Sequence, residues 1–163
     1  MNRNDANIDD LRLDPRTAGD LVDLLEQSLA DTLDLTYQTK RARWNLRGSN
    51  FSRLHPLFDR LCGQLAAYGE EFAGRVASTG GQGPGTIRFT ERSSGLAEYP
   101  RDATGGWFQL DTLVDNYGEY AGRMRTAARK VGKLGDQSTA RFYIAVSRDM
   151  DQALWMLTSR EEP

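Results

Sequence analysis

One cysteine, one histidine and five prolines among 163 residues exclude more than they suggest. The lone Cys62 rules out an internal disulfide and any metal site built from several thiolates. The lone His55 rules out a His-rich zinc site, and a di-iron site made of two Glu-x-x-His repeats within one chain. A formal charge of -2 gives no global pull toward nucleic acid or anionic lipid. No run of about 18 apolar residues occurs, and the N-terminus lacks the basic and apolar regions of a signal peptide, so a cytoplasmic, membrane-free protein is expected. With 39% hydrophobic and 27% charged residues, the chain reads as one domain large enough to bury a core.

What the chain does have is helical periodicity. Residues 1–16 are polar, with Arg3, Arg12 and Arg16 offset by Asp5, Asp9, Asp10 and Asp14, and read as a flexible tail that adds no phosphate contacts. Thr17 and Asp20 resemble a capping box, after which Leu21, Leu24, Leu25, Leu29, Leu33 and Tyr37 mark a first helix to about Asn45. Its end carries Lys40, Arg41, Arg43 and Trp44, cations that suit the helix dipole. A short loop then predicts an antiparallel second helix, capped by Ser52 with Pro56 in its first turn; Leu54, Phe58, Leu61, Leu65, Tyr68 and Phe72 form its seam.

Residues 78–102 hold five glycines and two prolines, a connection long enough to span a bundle and roomy enough for a short helix. Trp107, Leu110, Val114, Tyr117, Ala121, Met124, Ala128 and Val131 then mark a third long helix. Asp136 can cap a fourth, with Tyr143, Val146, Met150, Ala153 and Leu157 inward. Short links on either side of one long crossover predict an all-α, ferritin-like four-helix bundle over residues 17–159, followed by a short tail, 160–163.

The second helix has a further face. His55 and Asp59 lie at i and i+4, and Glu70 returns to that face three turns on, with Cys62, Gly63 and Ala66 between. Asp59 and Glu70 are roughly 16 Å apart along the axis, too far to hold one ion. A second copy crossing antiparallel about a two-fold axis would bring Asp59 opposite the partner's Glu70 and His55 opposite Gly74, with small residues where the backbones approach. The pattern suggests a metal-sized site shared by two chains; a plain hydrogen-bonded His–Asp pair is the other reading.

The blocks LADTLDLTYQTKRARWNLRG, NFSRLHPLFDRLCGQL, STGGQGPGT, EYPRD and STARFYIAVSRDMDQALWML together make residues 20–158 resemble the Dps family of DNA-protecting mini-ferritins. The resemblance implies a dodecamer built from two-fold dimers, which oxidises iron(II) between subunits and stores iron inside. The family pattern places metal ligands at His55, Asp59 and Glu70, but Arg43 stands where a histidine before Trp44 is expected, and Gly74 where a second carboxylate is expected. Arg43 can pair with Asp59 or with the partner's Glu70, so the resemblance implies an impaired ferroxidase or a single-iron site. If Arg141 in the early fourth helix lines the pore where the family places acidic residues, it would disfavour cation passage; an exposed, solvated arginine is the other reading. Trp44 and Trp155 match family tryptophans that could act as redox aromatics, or that pack in a core or interface. Arg47, Arg53 and Arg60 read as solvated or interface charges, and the chain ends Arg160, Glu161, Glu162, so DNA binding is doubtful.

Overall fold

A computed structural model describes residues 13–47, 51–101 and 106–159, with the side chains of residues 51, 53 and 106–109 set aside. Five helices run through these residues: α1 (Pro15–Trp44), α2 (Phe51–Ser78), α3 (Ile87–Ser93), α4 (Gly106–Leu134) and α5 (Gln137–Thr158). The long antiparallel pairs α1/α2 and α4/α5 pack into one bundle, with α1 against α4 and α2 against α5, while the short α3 of the crossover lies on α1. This is the expected all-α bundle with one long crossover.

Two helix starts differ from expectation. The first helix begins at Pro15, capped by Asp14, whose carboxylate accepts from the Arg16 and Thr17 amides at 3.1 Å each. Proline at the first helical position sacrifices an amide that would be orphaned anyway, so Asp14–Pro15 is a start signal and not the end of a tail. Helix α2 is already under way at Phe51, so Ser52 is not its cap and Pro56 lies in the second turn, where its missing N–H costs an intrahelical bond. Asp136 caps α5 as expected, accepting from the Thr139 amide at 2.9 Å. The expected tail segments 1–12 and 160–163 and the Trp107 side chain lie outside the described residues.

The core contains Leu25, Leu61, Leu65, Phe72, Leu113, Met124, Val131, Val146 and Met150, all fully or nearly fully buried, as the three-four spacing requires. Along α1 the inward stripe is rotated from expectation. Leu33 is only partly buried and Tyr37 is 49% exposed, while Ser28, Thr32, Leu35, Thr36, Thr39 and Ala42 face inward.

The hydroxyls on that stripe meet three buried phenols. Ser28 pairs with Tyr143 at 2.7 Å, Thr32 with Tyr120 at 2.7 Å and Thr39 with Tyr117 at 3.0 Å. Each α1 hydroxyl also gives its proton to the carbonyl four residues back, Leu24, Ser28 and Leu35, at 2.6–2.9 Å. The tyrosines are therefore the donors across the bundle, with the Leu24 carbonyl a further acceptor for Tyr143 at 3.1 Å, and each of these hydroxyls has an acceptor. Burial pushes all three phenols well above their ordinary range.

The crossover is clasped to α1 through backbone groups. Gly95 donates its amide to Asp31 at 2.8 Å, Gln27 donates to the Ser93 carbonyl at 2.6 Å, and Gln38 donates to the Ala97 carbonyl at 3.1 Å. Arg123 of α4 closes the clasp by donating to the Gly95 carbonyl at 2.7 Å and facing Asp31 at 3.5 Å. Burial raises the Asp31 carboxyl above its ordinary value, with the Gly95 amide and Arg123 pulling the other way.

Candidate metal centre

The helical spacing brings His55 and Asp59 together as expected: His55 Nδ1 lies 3.1 Å from Asp59 Oδ2. Arg43, on the last turn of α1, places Nη1 on the other oxygen of the same carboxylate. Both oxygens of Asp59 are thus engaged by cationic or potentially cationic groups of its own chain. Asp59 is 48% exposed, His55 34% and Arg43 28%, so this is a surface network that solvent screens. The Arg43 Nε is buried and lacks a hydrogen-bond partner, which leaves one edge of the guanidinium unsatisfied.

Next to this network the Cys62 thiol is buried and pushed above its ordinary value by desolvation, with Arg43 and Lys40 pulling it partly back. That makes it a poor nucleophile and a packing residue. Arg60 reaches the Met156 sulfur, tying the start of α2 to the end of α5.

Glu70 lies on the exposed side of α2, together with Gly63, Ala66, Ala67 and Gly74. A Cβ built at Gly63 or Gly74 meets nothing within 4 Å. The single chain does not bring Glu70 to Asp59; the roughly three helical turns between them remain. Among the described residues, no group of three or more His, Cys, Asp or Glu gathers within one chain. One subunit offers an imidazole and an already engaged carboxylate, short of the ligand number a transition metal takes. Trp44 and Trp155 are 66% and 70% exposed, so neither packs in the subunit core. Arg141 is exposed, with its Nε donating to the Gln137 carbonyl at 3.2 Å.

Sequence reasoning named Arg43, His55 and Asp59 but missed the hydroxyl ladder of α1, whose signal was the four-residue spacing of Ser28, Thr32 and Thr36. It also passed over the Tyr68–Asp149 pair, in which the α2 phenol donates to an α5 carboxylate; no spacing within either helix announces that contact. Among the described residues no helix is long and apolar enough to cross a membrane.

Residues 22–160 match the ferritin-like domain family. A DNA protection during starvation protein of Agrobacterium fabrum is 37% identical over 137 residues, covering 84% of this chain and 85% of that protein. The structure of DpsA14 from Streptomyces coelicolor superposes with a TM-score of 0.86 at 26% identity, covering 93% of this chain and 89% of that one. A Dps protein from Vibrio cholerae O1, described as a member of a broad superfamily of ferritin-like diiron-carboxylate proteins, shares the fold with a TM-score of 0.83 at 22% identity, covering 90% of this chain and 92% of that one. With its four long helices, single crossover and full-length relatives, the chain belongs to the Dps family of mini-ferritins within the ferritin-like domain family.

Proposed function

We propose that this chain forms a Dps-like homo-oligomeric shell, a dodecamer of two-fold dimers, that binds and stores iron and protects against oxidative stress, with weak iron(II) oxidation between subunits. The proposed substrate site combines His55 and Asp59 of one chain with Glu70 of the partner subunit, water completing the coordination. The exposed small residues of α2 support this arrangement, since backbones can approach where side chains are absent. Iron(II) held there would give one electron to oxygen or peroxide.

The observation that carries the word weak is Arg43 on the Asp59 carboxylate. A guanidinium supplies no lone pair, and its charge opposes a divalent ion by several kcal/mol at contact, about 4 kcal/mol per unit charge at an effective dielectric of 20. Three protein ligands suit one iron, whereas two-electron reduction of peroxide is best served by two irons close together. The same contact favours a second reading, a protective shell in which Arg43 neutralises Asp59 and little iron is oxidised. DNA compaction has the least support, given the formal charge of -2 and the mixed charge of residues 1–16.

Anaerobic iron(II) titration of the assembled protein decides between the first two. Binding lost in His55→Ala supports the shared centre; binding unchanged in that variant removes it. The double change Arg43→His with Gly74→Glu should raise iron(II) oxidation, because the Gly74 position has open space for a side chain. Measured mass in solution tests the shell, and a stable monomer would overturn it.

A further inference from the structure

Tyr68 of α2 sits half-buried against Asp149 of α5, its O–H donating to Asp149 Oδ2. The Gln64 side-chain N–H donates to the same phenol oxygen at 2.9 Å. The ring stands edge-on to Phe142 at 6.2 Å between centroids, and Phe142 in turn packs against Phe72 at 4.9 Å. We propose that Tyr68 and Asp149 form a one-electron oxidation site, in which the phenol gives its electron to an oxidant and its proton to the carboxylate.

Of the four tyrosines whose hydroxyl partners are described, Tyr117, Tyr120 and Tyr143 face the hydroxyls of Thr39, Thr32 and Ser28, and Tyr143 also faces the Leu24 carbonyl. None of those groups can accept a proton near neutral pH. Oxidising such a phenol would leave a buried cation radical. Tyr68 alone of the four faces a base already at hydrogen-bond distance, the arrangement that proton transfer requires.

As the electron leaves, the proton moves along the existing hydrogen bond to Asp149. The step balances: Tyr68–OH, the Asp149 carboxylate and a one-electron oxidant give a Tyr68 phenoxyl radical, a protonated Asp149 and the reduced oxidant. Gln64 keeps donating to the phenoxyl oxygen. A thiolate or similar one-electron donor in solution restores the phenol, leaving a thiyl radical, with the proton returning from Asp149.

Nine residues separate Tyr68 from Asp59, about 180° around the helix at 3.6 residues per turn. The oxidation site is thus on the opposite side of α2 from the proposed metal site, and diffusing oxidants such as hydroxyl or carbonate radicals would supply it. It does not depend on the metal centre.

The test uses a photogenerated ruthenium(III) polypyridyl oxidant on the assembled, iron-free protein, with a nitroso spin trap and peptide mass spectrometry to locate adducts. The half-exposed Tyr37 serves as internal reference. The expected result is a Tyr68 adduct whose yield relative to Tyr37 falls about a hundredfold in Asp149→Asn, the low end of what a positioned base contributes. Asparagine still accepts the hydrogen bond but not the proton, and Asp149→Glu should restore the yield. A Tyr68 yield in heavy water below that in light water is also expected. The proposal is overturned if Tyr68 is unlabelled in the wild type, or if it is labelled equally in correctly assembled Asp149→Asn.

Discussion

Replacing Arg43 by alanine should tighten iron(II) binding, and the size of the gain follows from the contact with Asp59. An ion seated on that carboxylate with the guanidinium still in place would lie about 4 Å from a positive charge. At an effective dielectric of 20 a divalent ion then meets about 8 kcal/mol of repulsion. Asp59 is 48% exposed and Arg43 28%, so the arginine has a cheaper course, which is to leave. Leaving forfeits a surface ion pair worth about 0.2–1 kcal/mol. At about 8 Å, with water between and a dielectric near 40, the residual repulsion is about 2 kcal/mol. The sum, about 2–3 kcal/mol, corresponds to a tightening of roughly thirty- to a hundred-and-fiftyfold in Arg43→Ala. Anaerobic calorimetry on assembled wild type and variant measures it. The gap should narrow in 0.5 M salt, where exposed charges are screened within a few ångströms. Adding His55→Ala should abolish the gain. Equal affinities within about threefold, or a gain that survives loss of His55, would refute the electrostatic account of the substituted site.

Other outcomes follow from the bundle interior and the crossover. Because Tyr117 donates to Thr39, Thr39→Val should cost more stability than Tyr117→Phe: the first strands a buried phenol donor at about 1–3 kcal/mol, the second leaves Thr39 bonded to the Leu35 carbonyl. Denaturant unfolding that ranks them the other way would contradict the assigned donor directions. Gly95→Ala puts a methyl group onto the Arg123 guanidinium, so it should lower the melting temperature in the wild type and be nearly silent in an Arg123→Ala background. The Asp31 carboxyl is raised above 3.8 in the folded chain, which therefore holds a proton that the unfolded chain has released just above that value. Its contribution to stability falls as pH rises above about 3.8, so Asp31→Asn should gain on the wild type as pH is raised from that value, read by denaturant midpoints. A pH-independent difference would show that Asp31 is ionised in both states throughout.

The parts of this architecture that could be read from the chain are those governed by apolar spacing. Tyr143, Val146, Met150, Ala153 and Leu157 all turn inward because nothing else on α5 competes for the core. On α1 the same rule misplaced Leu33 and Tyr37, since counting only apolar residues discards threonine. A threonine whose hydroxyl bonds its own helix buries almost as readily as valine, provided a partner waits across the bundle. The Arg43–Asp59 contact was one of two pairings open in the sequence, because the cation at the end of α1 and the acid just over two turns into α2 meet across the antiparallel pair. The Tyr68–Asp149 and Arg123–Gly95 contacts join elements 81 and 28 residues apart, and local patterning carries no information about such meetings.

The spacing of the three hydroxyl–phenol pairs fixes the sliding position of α1. Ser28 and Thr32 are one turn apart, but the third member, Thr39, comes seven residues later and breaks the four-residue repeat. Shifting α1 by four residues one way would bring Leu24 and Leu35 opposite Tyr143 and Tyr117, stranding two phenols at about 1–3 kcal/mol each. Shifting it the other way would keep hydroxyls opposite Tyr143 and Tyr120 but drive the charge of Arg43 into the core against Tyr117, a costlier error. An all-leucine seam would tolerate either slip with little complaint. The uneven spacing acts as a key cut for one lock position, and it holds the end of α1, and with it Arg43, at a single height beside Asp59.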